Sequence, residues 1–342
     1  MHDPDHDLFA AEDAAYGIGA GRRDWLFLMP AHGRAPMPAP PIQAFVIGNA
    51  TIDETFTLAS LPRAGESLLA ASPTRDPGGK GANQALLLAR AGLDVRLIAR
   101  IGRDPEGAFL RARLVAEELG AGLIEGTTPT DRSLILLDQA GENCIVTTDE
   151  AAGAMTPEDA ERTLSRAPAG SLLLLQGNLG FETTRAALIA GRARGLVTVF
   201  NPAPVKDEFT EFWALVSLVV LNEREADRLA GAVGEKGARR IVAAGAKAAA
   251  VTLGARGAVL VHEGGIETSL AHPAKVVDTT GAGDAFTAML AAARFAHRLG
   301  WREALAAAAA AAAITVSARG AFAAFPTRAA LVAILEGALI RR

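Results

Sequence analysis

The chain has 342 residues, half of them hydrophobic and 21% charged, a formal net charge of −4 and one cysteine. That is enough sequence for a sizeable core in one large α/β domain with an appendage. The absence of a Lys/Arg run or aromatic-interleaved basic patch argues against a nucleic-acid partner, no apolar run approaches the roughly 18 residues of a bilayer span, and the lone Cys144 excludes an internal disulfide and fits a reducing cytoplasm.

Residues 1–41 are acidic and His-bearing at first, then carry a short apolar patch at 25–29 and a proline-rich run up to Pro41. This reads as a poorly ordered extension, without the basic start and long apolar core of an export signal. His2 and His6 on such a terminus do not make a metal site, and Gly17, Gly19 and Gly21 lack the preceding strand that dinucleotide binding needs. From residue 43, apolar strands at 45–48, 96–101, 172–176, 197–201, 218–221 and 249–253 alternate with helical patterns at 82–91, 106–119, 183–194 and 225–230. That order predicts a mostly parallel sheet with helices on both faces, its ligands bound beyond the carboxyl ends of the strands, where Asn201 and Asn222 fall. Two segments, 51–58 with 67–74 and 133–138 with 143–148, read as strand pairs without crossover helices. Cys144 lies in the last of these and reads as packing. The alanine run at 304–313 predicts a helix that neighbouring elements can approach closely.

Two glycine-rich stretches carry the chemistry. Asp278-Thr279-Thr280-Gly281-Ala282-Gly283-Asp284 precedes a predicted helix over 285 to about 299, whose free N–H groups and positive dipole end make a seat for phosphate oxygens. Gly281, Ala282 and Gly283 supply that backbone, and Asp284 beside a bound phosphate suits a general base that takes the proton of an attacking hydroxyl. The plainer alternative is an N-cap aspartate after a glycine turn. Upstream, Pro77-Gly78-Gly79-Lys80-Gly81-Ala82-Asn83-Gln84 opens another helix, where backbone can lie against a polyhydroxylated ligand while Lys80 and Asn83 bond its hydroxyls. Its spacing is not that of a Walker A loop, so phosphate binding falls to the later turn.

Together, and in this order, the two stretches resemble the PfkB-type carbohydrate kinases, the ribokinase branch most closely, with similarity from about residue 42 to about 335. The resemblance implies a ribokinase-like three-layer α/β fold over 42–340, with lid strands at about 51–75 and 131–148 forming a small β lid through which two subunits pair as a homodimer. It implies transfer of the γ-phosphoryl of ATP to a primary hydroxyl of a small sugar, ribose first, in the cytoplasm and without membrane or nucleic acid. Asp53, Gly79, Lys80 and Asn83 would hold the sugar, and Asn222, Thr252, Gly254 and Gly257 would lie along the nucleotide. Asn222 and Glu225, in an Asn-x-x-Glu form, would organise Mg²⁺ through water; as an N-cap with its capping-box Glu they have an innocent alternative. Asp278 and Thr280, with backbone around Gly320, resemble an activating potassium site, while Asp278 also suits an ordinary turn. Two departures bear on substrate: Thr51 stands where these kinases usually carry Asn, and Asn178 where they usually carry Glu. Both leave open a nucleoside or modified sugar, and a non-catalytic sugar sensor remains the alternative of another class.

Overall fold

Short apolar runs bounded by Gly, Pro and Asn become strands, and the amphipathic stretches between them become helices. In the computed structural model the described residues are 42–71, 73–119, 122–139, 142–320 and 322–340; the extension expected over 1–41 lies outside them. The chain opens with β1 (Gln43–Ile47), β2 (Thr51–Thr57), β3 (Thr74–Gly78), α1 (Lys80–Arg90), β4 (Asp94–Gly102) and α2 (Pro105–Ala116). Next come β5 (Leu123–Gly126), β6 (Arg132–Leu137), β7 (Asn143–Thr147), α3 (Glu150–Gly153), α4 (Pro157–Leu164), β8 (Leu172–Gln176), α5 (Phe181–Ala193) and β9 (Val197–Asn201). It closes with β10 (Leu218–Asn222), α6 (Glu223–Ala230), α7 (Gly234–Ala243), β11 (Ala248–Thr252), β12 (Ala258–His262), β13 (Gly265–Ser269), α8 (Ala282–Ala291), α9 (Trp301–Thr315) and α10 (Arg328–Ile340).

The main sheet has nine strands in the order β13-β12-β11-β10-β9-β8-β1-β4-β5. Its pairs are parallel except where β12 runs against both neighbours. Alternation along the strands fills two cores. Val46, Leu172 and Leu174 face the layer of α1, α8 and α9, whereas Phe45, Ile47, Leu173 and Leu175 face the layer of α5 and α7. This is why β8 reads as an unbroken apolar run: both of its faces are covered, and each buried leucine contributes about 1.5–3 kcal/mol. The chain leaves β1 toward β4 and returns through β8, so the order reverses beside β1, the switch point at which such sheets open a crevice.

The lid is one four-stranded sheet, β3-β2-β6-β7, because β2 and β6 pair in parallel and join the two strand pairs. Its second strand differs from the expected 67–74: β3 runs Thr74–Gly78, pairing Thr51 with Gly78 and Thr55 with Thr74. Leu68 and Leu69, within the expected strand, are exposed. Pro77 is tolerated within β3 because β3 is an edge strand. The antiparallel hairpin of β12 and β13 was not expected; its two-residue Glu263-Gly264 turn was the available signal. Among the described residues no helix is long and apolar enough to cross a membrane.

Candidate active site

Gly281 adopts φ 78° and caps α8 without a side-chain hydrogen bond. A left-handed backbone costs glycine little, so the turn can close tightly enough for the helix to start at Ala282. The helix therefore begins three residues before the expected start at 285, and Asp284 stands within its first turn. The N-cap alternative for Asp284 fails for the same reason. N–H groups of a first helical turn have no intrahelical acceptor, and the helix dipole adds partial positive charge there.

Asp284 is 4% exposed and well partnered. Its Oδ2 accepts from Asn83 Nδ2 at 3.0 Å, its Oδ1 accepts from Gln84 Nε2 at 2.9 Å, and Lys80 Nζ lies 3.8 Å from Oδ1. A buried carboxylate persists as an ion only with such donors and a compensating charge. The start of α1, capped by Gly79, thus meets the start of α8 across one carboxylate. Asn49 Oδ1 accepts the Gly81 N–H at 3.2 Å and fixes α1 to the β1–β2 connection.

Lys80, Asn83, Asp284, Asp53, Gly79 and Asn178 all line one cleft of about 740 Å³ under the lid. Two buried acceptors there, Asn83 Oδ1 and Asn178 Oδ1, have no partner in the protein and point to a ligand rich in donors. Burial raises the pKa of Asp53; the charges of Asp284 and Asp76 push the same way, against hydrogen bonds from Thr51 and Ser133. The Thr51 hydroxyl donates to Asp53 Oδ1 at 2.7 Å and is not part of the cleft wall.

A second cleft of about 510 Å³ adjoins the first. Thr252, Gly254, Gly257 and Ala282 line it, with Phe286 and Ala309, Ala312 and Ala313 of the alanine-rich α9 as an apolar wall. Thr252, Thr279 and Gly283 border both clefts, so the anion seat lies at their junction. Gly281 faces the larger cleft.

Asn222 and Glu225 form the capping box of α6, with Asn222 N–H to Glu225 Oε2 at 2.8 Å and Glu225 N–H to Asn222 Oδ1 at 2.9 Å. Both also line the larger cleft, so the capping box leaves them within reach of a ligand there. Burial raises the Glu225 pKa; its backbone hydrogen bond to Asn222 and the Lys80 charge oppose the rise, while the Asp284 charge adds to it. Asp278 ties its own turn to a distant loop: Oδ1 accepts from Thr280 N at 2.9 Å and Oδ2 from Gly320 N at 2.9 Å.

Several residues went unassigned in the sequence. Asn143 of β7 donates to Thr280 Oγ1 at 3.2 Å, joining lid to seat, and Lys206 lines the cleft while donating to the Leu179 carbonyl at 3.0 Å. Gln84 and Gln176 are buried behind Asp284. A polar residue closing the run Leu172–Gln176 was the legible signal for the last of these.

The pattern of the pfkB family carbohydrate kinases matches residues 42–328. Among curated relatives, the bifunctional ribokinase/ribose-5-phosphate isomerase A of Fructilactobacillus sanfranciscensis is 29% identical over 300 residues, 85% of this chain; the chain spans only 56% of that relative's length. Ribokinase from Thermotoga maritima has a similar structure, with a TM-score of 0.77 and 30% identity over 86% of this chain and 99% of that one. Arabidopsis thaliana ribokinase, solved with ribose and ATP, gives a TM-score of 0.74 and 27% identity over 87% and 99%. With a match that runs through both glycine turns, the lid and the sheet between them, the chain belongs to the pfkB family of carbohydrate kinases.

Proposed function

We propose that this carbohydrate kinase is a ribokinase, transferring the γ-phosphoryl of ATP to the primary hydroxyl of ribose. The observation that carries the reading is the Asp284 carboxylate, held by Asn83, Gln84 and Lys80 in the larger cleft, next to Gly283, which borders both clefts. Asp53, Asn83 and Asn178 hold the sugar's hydroxyls, Asp53 as an acceptor and Asn178 through its unpartnered oxygen. Asp284 takes the proton as the sugar oxygen bonds to phosphorus and the bond to the ADP oxygen breaks. The N–H groups at Gly283 and Asp284 meet the charge of the transferring group.

Glu225 and Asn222 suit Mg²⁺ through water. Among the described residues no cluster of three or more His, Cys, Asp or Glu could hold a metal by itself, and phosphate oxygens and water would make up the rest of the shell, as is usual for this ion. Bound Mg²⁺ supplies charge neutralisation to the phosphates. The Asp278 carboxylate, with Thr280 and the Gly320 backbone drawn beside it, fits potassium, which would steady the turn carrying the seat. Activity that survives EDTA, or is the same with and without potassium, would contradict these two assignments.

The outer face of the lid exposes Leu134, Cys144 and Val146, and we assign it to a homodimer contact. Sedimentation as a monomer at micromolar concentration would remove that assignment. The enzyme is assigned to the cytoplasm, where its ATP is available, and fractionation that recovers it elsewhere would contradict this.

The Asn178 acceptor favours a second reading, a nucleoside or modified sugar as substrate. ADP release measured against ribose, deoxyribose, other pentoses and nucleosides separates the two. The highest kcat/KM is expected with ribose, and a preference for any nucleoside over every pentose would overturn the proposal.

A further inference from the structure

Behind Asp284 lies a chain of buried amides that reaches the larger cleft only at Asn201. Gln84 and Gln176 are both 0% exposed and line neither cleft. Gln84 Nε2 donates to Asp284 Oδ1 at 2.9 Å and to Asn201 Oδ1 at 3.3 Å, and its Oε1 accepts from Gln176 Nε2 at 2.8 Å. Asn201 Nδ2 in turn donates to the Val220 carbonyl at 2.9 Å. The parallel register sets Gln176 directly beside Asn201, at the carboxyl ends of β8 and β9, facing α1.

The polarity of this chain is forced from both ends. An ionised carboxylate only accepts, so Gln84 must turn its nitrogen to Asp284. The Val220 carbonyl also only accepts, so Asn201 turns its nitrogen to it and its oxygen to Gln84, which again requires the Gln84 nitrogen on that side. Gln84 Oε1 is then left for Gln176, whose own Oε1 ends without a partner. Gly48 leaves room for that group: a Cβ there would lie 2.0 Å from Gln176 Oε1. A buried polar chain with an unpaired end is a poor device for stability alone, since unpaired buried acceptors are destabilising.

We propose that Gln84 is a positioning residue for phosphoryl transfer, held in one orientation by Gln176 and Asn201 so that Asp284 Oδ1 is fixed and its remaining lone pairs face the attacking hydroxyl. This rests on Asp284 being the base. Gln84 touches no substrate, so its effect belongs to turnover and not to sugar binding.

A double-mutant cycle tests it. Gln84→Met is expected to lower kcat about 10- to 100-fold, part of what a general base supplies, with the ribose KM within about 3-fold of wild type. In an Asp284→Asn background the same change is expected to cost less than about 2-fold more, because the group it positions has gone. Gln176→Met should show the same pattern with a smaller loss, since Asp284 and Asn201 still orient the Gln84 nitrogen and only the anchor on its oxygen is gone. An unchanged kcat in folded Gln84→Met, a loss repeated in full in the Asp284→Asn background, or a KM effect alone would overturn the proposal. Should Gln84→Met fail to fold, the Gln176→Met cycle decides, and wild-type kcat in that variant counts against the relay. Wild-type turnover in Asp284→Asn by itself would instead defeat the base assignment.

Discussion

In the proposed function Asp53 accepts sugar hydroxyls, yet its surroundings disfavour its charge. Burial first, then Asp284 and Asp76, hold its pKa above the ordinary value of 3.8 despite the Thr51 and Ser133 hydrogen bonds. A carboxyl with a raised folded-state pKa contributes stability that is present below its unfolded value and lost as pH rises through the folded one. Asp53 therefore makes wild type less stable at neutral than at acid pH, a cost that Asp53→Asn would lack. Thermal melts should find Asp53→Asn more stable than wild type at pH 7, with the gain shrinking as pH falls through the Asp53 titration, while ribose KM rises. A gain that grows toward acid pH would contradict this. Thr51 belongs to the same account. Its hydroxyl is committed to Asp53 and does not face the cleft, so its departure from the usual Asn acts on the acid and only indirectly on the sugar. Asn178 is the departure that faces the ligand.

At the scale of elements, one side-chain hydrogen bond among the described residues, Asn143 of β7 to Thr280, fastens the lid to the glycine turn before α8. A hydrogen bond of this kind contributes about 0.5–1.5 kcal/mol net. Asn143→Ala is expected to raise ribose KM about 2- to 10-fold with kcat little changed, measured by steady-state kinetics; an unaltered KM would show that the latch does not hold the lid over the sugar. The resemblance implied a small lid from both segments, but neither Asn143 nor the parallel pairing of β2 with β6 that joins them was legible beforehand, because that pairing depends on contacts between residues about 80 apart. Elements whose signal is local were legible: β8 and β9 lie where the apolar runs put them, and the glycine turns open helices as expected. The start of α8 was misread because Ala282 and Gly283 look like loop residues, while the left-handed Gly281 is what sets the boundary. Asp284, Lys80 and Asn83 were legible as chemistry since motif and spacing name them. Gln84 sits in the same motif, but its role needs Gln176 and Asn201, each brought to it by the sheet.

For the whole molecule, one topological fact organises the rest. The reversal of strand order beside β1 opens the sheet at its carboxyl edge, and α1 and α8, on the same face, aim their first turns at that opening. The lid then closes one cleft and the alanine-rich α9 shapes the other, with Thr252, Thr279 and Gly283 shared between them. A sugar and a nucleotide placed in the two clefts would meet at that shared border, beside Asp284 of the larger cleft. The most direct measurement is therefore single-turnover phosphoryl transfer by Asp284→Asn, with ribose affinity determined separately by calorimetry. The account predicts transfer slowed at least about 10²-fold with ribose affinity nearly kept. Transfer at the wild-type rate in a folded Asp284→Asn protein would contradict it.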